Sequence, residues 1–225
     1  MRSKQADLRF DSVEAASRFY ASLAGKGCEQ VAGLDECGRG PYAGPVVAAC
    51  VLLPLGHSIE GISDSKRICA RRRRELSAQI REVGVWGIGV RESHVIDEVN
   101  ILVATLQAAT TAAMQCIYSG APVDYLLCDG GLRLQDRVPV PTASVIKGDL
   151  WFECIGAASI VAKVYRDELM SFYHDSWPEY GFDTNQGYGT KKHVEAIKNY
   201  GITPIHRRSF GICKDAPDIK YDTRG

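Results

Sequence analysis

A nearly unbroken apolar run at residues 43–53 constrains the fold more than any other part of the chain. Its β-branched and small side chains are typical of a strand that is covered on both faces, since a half-exposed strand alternates apolar with polar residues. A shorter apolar segment at 31–34 precedes it, and glycines and prolines punctuate the connection. The pattern predicts two neighbouring strands in a sheet with both faces covered.

The rest of the chain alternates strand-like and helix-like segments. The predicted elements are strands at 31–34, 43–53, 85–90, 125–128 and 142–146, and helices at about 70–82, 97–118, 154–174 and 191–199. Strands that come first and then alternate with helices favour an α/β layer fold with a mixed sheet.

Composition limits the class of protein. The 225 residues and 24.6 kDa suit one domain, or one domain with a small appendage, and 45% hydrophobic residues are enough for a substantial core. No segment approaches the ~20 apolar residues of a membrane helix, and residues 1–20 carry charges throughout, unlike a secretory signal. We therefore expect a soluble, cytoplasmic protein.

The 8 cysteines and the net charge give no positive signal for a ligand. The cysteines are irregularly spaced and include no Cys-x-x-Cys pair or zinc-type cluster, which favours isolated thiols. With 27 basic and 27 acidic residues the formal net charge is zero, so a nucleic-acid partner has to be bound by a local surface.

Basic residues are clustered in two places. The run at 71–74 is expected at the start of a helix, where it is solvated or makes a peripheral phosphate contact. A second group near the carboxyl end contains His193, His206, Arg207 and Arg208. Helix capping or ion pairing is the simpler explanation for this group, and a contact with phosphate is the alternative.

Residues 35–40, Asp-Glu-Cys-Gly-Arg-Gly, join two adjacent carboxylates to an arginine flanked by glycines. The carboxylates of Asp35 and Glu36 suit Mg²⁺ or Mn²⁺, which prefer oxygen ligands and keep waters that a phosphate can displace. Arg39 can grip that phosphate bidentately while the glycines let the backbone approach. A polar turn with a solvated arginine explains the same segment. Both interpretations stay open on these residues alone.

Two further acids lie where an α/β sheet forms sites. Asp129 ends a predicted strand, as Asp35 and Glu36 do, and sites in such sheets tend to form beyond the carboxyl ends of strands. Asp167 lies at the border of the apolar face of a predicted helix, from which it can face a cleft. Taken singly, Asp129 and Asp167 are better explained by a loop acid or a surface ion pair with Lys163.

These segments form a series of motif blocks. In chain order the blocks are GLDECGRGP (33–41), AGPVVAA (43–49), DSK (64–66), NI (100–101), AT (104–105), CDG (128–130), IKGD (146–149), AASIVAKVYRD (157–167), GYGT (187–190) with His193, and HRRSF (206–210). The pattern resembles ribonuclease HII, the bacterial type 2 ribonuclease H, and covers roughly residues 31–210.

The resemblance implies a ribonuclease H-like α/β fold, in which helices flank a mixed central sheet, with a small helical carboxyl-terminal extension. The implied division is an N-terminal helical arm (1–29), a catalytic core (30–170) and a C-terminal helical extension (171–225). The implied activity is metal-dependent hydrolysis of the RNA strand of RNA–DNA hybrids. The resemblance also implies cutting on the 5′ side of ribonucleotides embedded in duplex DNA, which leaves 3′-hydroxyl and 5′-phosphate ends.

The resemblance assigns a metal site as well. The acids that match the family's metal-site carboxylates are Asp35, Glu36, Asp129 and Asp167, which are implied to hold two Mg²⁺ or Mn²⁺ ions. Like charges ~4 Å apart repel by roughly 4 kcal/mol at an effective dielectric of 20. We therefore expect at least one raised carboxylate pKa in the metal-free protein, and we expect metal binding to stabilise the fold.

The residues implied or expected to bind substrate are Gly38, Arg39, Gly40, Tyr188, Lys66 and Lys147. The Gly-Arg-Gly element matches the family element that recognises the ribonucleotide through its 2′-hydroxyl. The tyrosine matches the residue that stacks on the sugar of the following deoxynucleotide. The expected partners are RNA–DNA hybrid and ribonucleotide-containing duplex DNA, bound by a monomer. An unidentified replication-associated docking partner is also expected, and a membrane is not.

Adjacent side chains on a regular strand point to opposite faces. Asp35 and Glu36 can therefore share a site only if the strand is distorted at Glu36 or if Glu36 uses its backbone carbonyl. The chain also departs from the common family pattern at 151–153, 155–156 and 185–186, which is expected to affect affinity and junction preference. Two other functions stay open: a DNA-directed nuclease such as a junction resolvase or integrase, and a catalytically silent hybrid-binding module.

Overall fold

The computed structural model describes residues 7–62 and 68–219. Its strands are β1 (Val31–Cys37), β2 (Val46–Leu52), β3 (Val85–Arg91), β4 (Tyr125–Asp129) and β5 (Thr142–Val145). Its α-helices are α1 (Val13–Ala24), α2 (Ala70–Val83), α3 (Ser93–Val99), α4 (Ile101–Ile117), α5 (Glu153–Ser176), α6 (Phe182–Asn185) and α7 (Lys191–Tyr200). Each strand predicted from the sequence has a counterpart among these elements.

The strands form one mixed sheet in the order β3-β2-β1-β4-β5. β2 pairs antiparallel with both β1 and β3, whereas β4 pairs parallel with both β1 and β5. The predicted α/β class with a mixed sheet is confirmed. The parallel half of the sheet brings the carboxyl ends of β1 and β4 to the same edge.

Strand β2 is covered on both faces, as its apolar run predicts. Ala48 and Cys50 pack in one cluster with residues of α4, while Val47 and Ala49 pack on the opposite face with residues of α2 and α5. All of β2 is buried. Alternate side chains of one strand therefore contribute to two separate parts of the core.

The start of α5 lies directly on β1. A Cβ at Gly33 would stand 2.2 Å from the backbone carbonyl carbon of Cys154, so only glycine allows this approach. The contact sets the helix that carries Asp167 beside the strand that carries Asp35 and Glu36.

Two boundaries differ from the sequence prediction. β1 continues to Cys37, so Asp35 and Glu36 lie inside the strand and not beyond its end. The single helix predicted at 97–118 is two helices that meet at Asn100. Asn100 has a positive φ of 70°, and its side chain accepts hydrogen bonds from two N–H groups in the first turn of α4. The apolar composition continues across this cap and hides it in the sequence.

Residues after α5 form a small layer against the β1–β2 connection. Met170, Tyr180 and Phe182 belong to a buried cluster that includes Ala43, and Ala43 forms an isolated bridge with His206. α5 runs through position 170, so the predicted end of the core falls inside a helix. The three-part division of the chain stays a prediction.

All 8 cysteines lie in the described residues and are free thiols, as their spacing indicates. Within residues 7–62 and 68–219, no helix combines the length and the apolar character needed to cross a bilayer.

Candidate active site

Asp35 and Asp129 are brought together by the parallel register of β1 and β4. Leu34 and Cys128 are paired in that register, and the two acids are the next residue on each strand. Asp35 is buried, with 8% of its surface exposed, and its Oδ1 accepts a hydrogen bond of 2.7 Å from the N–H of Glu36.

The carboxylates at this edge repel one another. Burial, followed by the charges of Asp129 and Glu36, raises the pKa of Asp35 to about 8. The pKa of Glu36 is also raised, chiefly by burial, although Arg39 Nη1 donates to Glu36 Oε1 at 3.1 Å and opposes the shift. The expectation of a raised carboxylate pKa in the metal-free protein is confirmed. We call Asp35, Glu36 and Asp129 the acid cluster.

Strand β1 has no bulge at Glu36. Its pairing with β2 continues without a break from Gly33 to Cys37, and Glu36 lies opposite Ala48. This removes one of the alternatives considered for Glu36, and use of its backbone carbonyl stays a prediction. The Glu36 carboxylate is still close enough to Asp129 for their charges to interact. β1 extends beyond Leu34, the last of its residues that pairs with β4.

Asp167 approaches the same edge from α5. Lys163, one turn earlier, donates from Nζ to Asp167 Oδ1 at 2.5 Å, so the ion pair considered from the sequence is present. The charges of Asp167 and Asp35 both act on the thiol of Cys37, whose pKa is raised chiefly by burial. Asp167 is therefore near β1 but engaged with Lys163.

The donor set suits a hard divalent cation. The acid cluster offers only oxygen atoms, which Mg²⁺ and Mn²⁺ prefer, and a cation would offset the repulsion that raises the pKa of Asp35. In the described parts of the chain, no three Asp, Glu, His or Cys side chains are arranged to hold one ion as they stand. Asp167, whose Oδ1 accepts from Lys163, would have to join the acid cluster for all four predicted acids to ligate metal.

The Gly-Arg-Gly element lies against Tyr188. A Cβ on Gly40 would stand 3.6 Å from Cε1 of Tyr188, an ordinary contact distance. Gly38 has a φ of 92°, and a side chain there would stand 2.2 Å from Nε of Arg166. Arg39, Gly40 and Tyr188 are exposed. The structure thus brings these predicted substrate-binding residues onto one surface, and the Arg39–Glu36 contact joins that surface to the acid cluster.

Two buried arginines hold the loop that contains this element, and the sequence predicted this role for neither. The backbone carbonyls that accept from Arg166 are those of Ala43, Pro45 and Gln186. The carbonyls that accept from Arg207 are those of Gly38, Arg39 and Gly44. Arg207 is fully buried, so the phosphate contact considered for it is wrong. Arg166 carries a sequence signal, because it lies four residues after buried Ala162 and four before buried Met170.

Of the two predicted substrate-binding lysines, only Lys147 lies in the described residues. Lys147 is exposed and has a left-handed φ of 55°. The N–H of the next residue, Gly148, donates to Asp129 Oδ1 at 2.6 Å, so Lys147 adjoins the acid cluster. Lys66 lies outside the described residues.

The other basic residues are placed at the periphery. Arg73 and Arg74 line a cleft of about 390 Å³ that also contains Asp167 and Gln186, a position compatible with a peripheral phosphate contact. Arg208 makes an exposed ion pair with Asp218, as the simpler explanation of the basic tail predicts.

Residues that depart from the family pattern support local packing. Asn185 Nδ2 donates to the carbonyl of Tyr180 at 2.6 Å, and its Oδ1 accepts from the N–H of Gly187 at 2.8 Å. Phe152 packs edge-on against Phe10 near the start of the described chain. An effect of these departures on affinity or junction preference stays a prediction.

Known proteins that resemble this chain agree on one family. The family model for ribonuclease HII matches residues 32–213. A curated ribonuclease HII of Enterococcus faecalis is 46% identical over 200 residues, which are 88% of this chain and 76% of that relative.

Solved structures agree on the fold. The ribonuclease HII in a complex with PCNA from Archaeoglobus fulgidus is 23% identical, with a TM-score of 0.68 over 81% of this chain and 96% of that chain. A Bst ribonuclease HIII in complex with Mn²⁺ is 18% identical, with a TM-score of 0.62 over 77% of this chain and 61% of that chain. Because the family model and the Enterococcus relative both span most of the sequence, the chain belongs to the ribonuclease HII family.

Proposed function

We propose that the protein cleaves its substrates with two divalent cations held by Asp35, Glu36, Asp129 and Asp167. As a ribonuclease HII it is an endonuclease that cleaves the RNA strand of RNA–DNA hybrids and ribonucleotides embedded in DNA. The observation that carries the site assignment is the acid cluster, where burial, followed by the charges of Asp129 and Glu36, raises the pKa of Asp35 to about 8. Titratable groups perturbed in this way are typical of functional sites.

The proposed cations would be Mg²⁺ or Mn²⁺, and the Mn²⁺ bound to the Bst ribonuclease HIII supports this choice. When bound, the metals supply an activated water and stabilise the leaving 3′-oxygen. The protein's part is to hold the acids in place. The N–H of Glu36 orients Asp35, and the N–H of Gly148 orients Asp129.

Recognition of RNA is proposed to rest on the 2′-hydroxyl, the group that distinguishes the two nucleic acids. The Gly-Arg-Gly element would bind the ribonucleotide, and Tyr188 would stack on the next sugar. The position of Gly40 beside Tyr188 supports this arrangement, because two consecutive nucleotides need adjacent binding groups. A pocket that pairs with a hydroxyl rejects the substrate lacking it, since its polar groups are then left unpaired. Lys66 and Lys147 are proposed to contact substrate phosphates.

A cleavage assay with three substrates tests this function. The substrates are a continuous RNA–DNA hybrid, a DNA duplex with one embedded ribonucleotide, and an all-DNA duplex. In Mg²⁺ or Mn²⁺ we expect the first two to be cut, on the 5′ side of the ribonucleotide in the second, with 3′-hydroxyl and 5′-phosphate ends. Cleavage of all-DNA duplex would indicate a DNA-directed nuclease instead. Binding of hybrid without cleavage would indicate a silent module.

We also propose a cytoplasmic monomer that docks on a replication-associated protein. The support is the Archaeoglobus relative, whose structure is a complex with PCNA. Light scattering of the purified protein tests the monomer, and a pull-down with a purified replication clamp tests the docking. A stable dimer, or no retention on the clamp, would count against the respective proposal.

A further inference from the structure

A chain of buried hydrogen bonds connects the carboxyl-terminal layer to Tyr188. The N–H of Thr203 donates to His206 Nδ1 at 2.9 Å, and the Nε2 atoms of His206 and His193 lie 3.0 Å apart. His193 Nδ1 lies 2.9 Å from the carbonyl oxygen of Tyr188. His193 and His206 are 0% and 2% exposed. We call Thr203, His206 and His193 the histidine relay.

The groups at the two ends of the relay assign its tautomers. A backbone N–H can only donate, so His206 accepts at Nδ1 and carries its proton on Nε2. A carbonyl can only accept, so His193 carries its proton on Nδ1 and accepts from His206 at Nε2. Both rings are neutral, because burial lowers the pKa of His193 and burial together with His193 lowers the pKa of His206 to about 3. Each hydrogen bond of the relay therefore donates the same way, from the N–H of Thr203 through His206 and His193 to the carbonyl of Tyr188.

The residue after His206 supports the other side of the recognition surface. Arg207 donates to the carbonyls of Gly38 and Arg39 at 2.5 and 2.9 Å. Two consecutive residues of the tail thus hold the Gly-Arg-Gly element and, through the relay, the backbone of Tyr188. Buried contacts of these two residues therefore help to fix the Gly-Arg-Gly element relative to the backbone of Tyr188.

We propose that His193, through the histidine relay, is a positioning residue for Tyr188 and so sets the preference for RNA-to-DNA junctions. The proposal rests on the stacking role of Tyr188 given above. Tyr188 is 48% exposed, so the backbone that carries it is fixed mainly from the protein side. Its carbonyl accepts from the N–H of Thr190 at 2.8 Å as well as from His193, and the side-chain donor is the contact that a substitution can remove.

The test uses the matched pair His193→Asn and His193→Gln. Asn places its amide nitrogen near the position of Nδ1 and keeps the donor to Tyr188, whereas Gln places it near Nε2 and loses that donor. The measured quantity is kcat/KM for a duplex with one ribonucleotide divided by kcat/KM for a continuous hybrid, with Mg²⁺ and the full chain. We expect this ratio to fall roughly fivefold in His193→Gln and by less than about twofold in His193→Asn.

Two more variants separate positioning from general stability. Tyr180→Phe removes a buried hydrogen bond of 2.8 Å to the carbonyl of Gly201 in the same layer, and should leave the ratio unchanged. His206→Gln breaks the relay one residue further from Tyr188 and should lower the ratio by a smaller factor. It replaces His193→Gln in the test if thermal melting shows that His193→Gln does not fold.

Tyr188→Ala separates this inference from the proposed function. If the ratio falls in Tyr188→Ala but not in folded His193→Gln, the relay does not position Tyr188. If the ratio is unchanged in Tyr188→Ala itself, the stacking role fails and the inference fails with it. Equal shifts in Tyr180→Phe and His193→Gln, or failure of both glutamine variants to fold, would make the relay a stability element only.

Discussion

The acid cluster and the carboxyl-terminal layer both contain buried ionisable groups, but these groups have different surroundings. Asp35, Glu36 and Asp129 lie beside like charges, and the pKa of Asp35 and of Glu36 is raised. Arg166 and Arg207 are buried even more completely, yet backbone carbonyls surround their guanidinium groups. Each acid of the first region accepts a hydrogen bond but also faces the charge of another acid, whereas each arginine of the second region donates to several backbone carbonyls.

Burial removes hydration from a charged group in either region, and hydrogen bonds are what restore a favourable environment. The arginines donate to several carbonyls and so can fix the loop that carries the Gly-Arg-Gly element, although burial still lowers the pKa of both. The acids accept hydrogen bonds but also face like charges, so a cation would reduce their repulsion. The difference places repulsion between acids at the proposed reaction centre and a dense set of hydrogen bonds behind the recognition surface.

The strongest test of the acid cluster is Asp129→Asn. We expect at least about a 10³-fold loss of cleavage, because the variant removes a charge from the proposed metal site. Single-turnover cleavage of the duplex with one ribonucleotide measures the loss, and hybrid binding should persist. Asp175→Asn, an exposed acid on α5, is the control and should cleave as wild type does. Wild-type cleavage by Asp129→Asn would remove Asp129 from the site.

The matching test of the carboxyl-terminal layer is Arg207→Leu. Removing the guanidinium leaves several buried carbonyls unpaired, which should lower the free energy of unfolding by about 3 kcal/mol. Urea unfolding measures the change. Arg208→Leu is the neighbouring control, and it should cost less than about 1 kcal/mol because its ion pair is exposed. Similar losses in both variants would contradict the contrast between the regions.

Asp35→Asn should raise the free energy of unfolding of the metal-free protein, whereas Arg207→Leu should lower it. The folded-state pKa of Asp35 is raised to about 8 from an ordinary value of 3.8. The stability that protonated Asp35 gives the fold is therefore complete below pH 3.8 and is lost as pH rises toward 8. We expect a gain on the order of 2 kcal/mol at pH 8 that vanishes near pH 4. Urea unfolding in chelator at the two pH values checks it, and a variant less stable than wild type at pH 8 would refute it.

Divalent metal should reduce the stability that the wild-type protein loses when Asp35 ionises in the folded state. At a Mg²⁺ concentration ten times its dissociation constant, the folded state should gain about 1.4 kcal/mol. Thermal melting with Mg²⁺, with Mn²⁺ and with chelator measures the shift, which should be smaller in Asp129→Asn. Absence of any shift at millimolar metal would contradict metal binding by the acid cluster.

The sequence predicted local structure well where the signal is contained in one segment. The apolar run of β2 predicted a strand covered on both faces, and the acids at the ends of β1 and β4 were expected at one edge. Prediction from the sequence failed where one residue ends a helix although the apolar pattern continues past it. Asn100 splits a predicted helix through its positive φ and its cap, and neither leaves a trace in the apolar periodicity.

The sequence left alternatives open at Glu36 for a different reason. Alternation along a strand is a local rule, and it implied a distortion if Asp35 and Glu36 were to share a site. In the structure the pairing of β1 with β2 continues through Glu36 without a bulge, while its pairing with β4 ends at Leu34. The length of one strand relative to its neighbour is a property of the sheet and cannot be read from β1 alone.

By itself, the sequence determined the order of the strands, the family and the identity of the candidate acids, because periodicity and motif chemistry are carried by short contiguous segments. Only the tertiary structure decided what each buried polar group pairs with. Arg207 binds the carbonyl of Gly38 across 169 positions of the chain, and His193 meets His206 between two separate elements. The sequence does not show whether a charged or titratable side chain is solvated or buried. Its partner is decided by the packing of the chain.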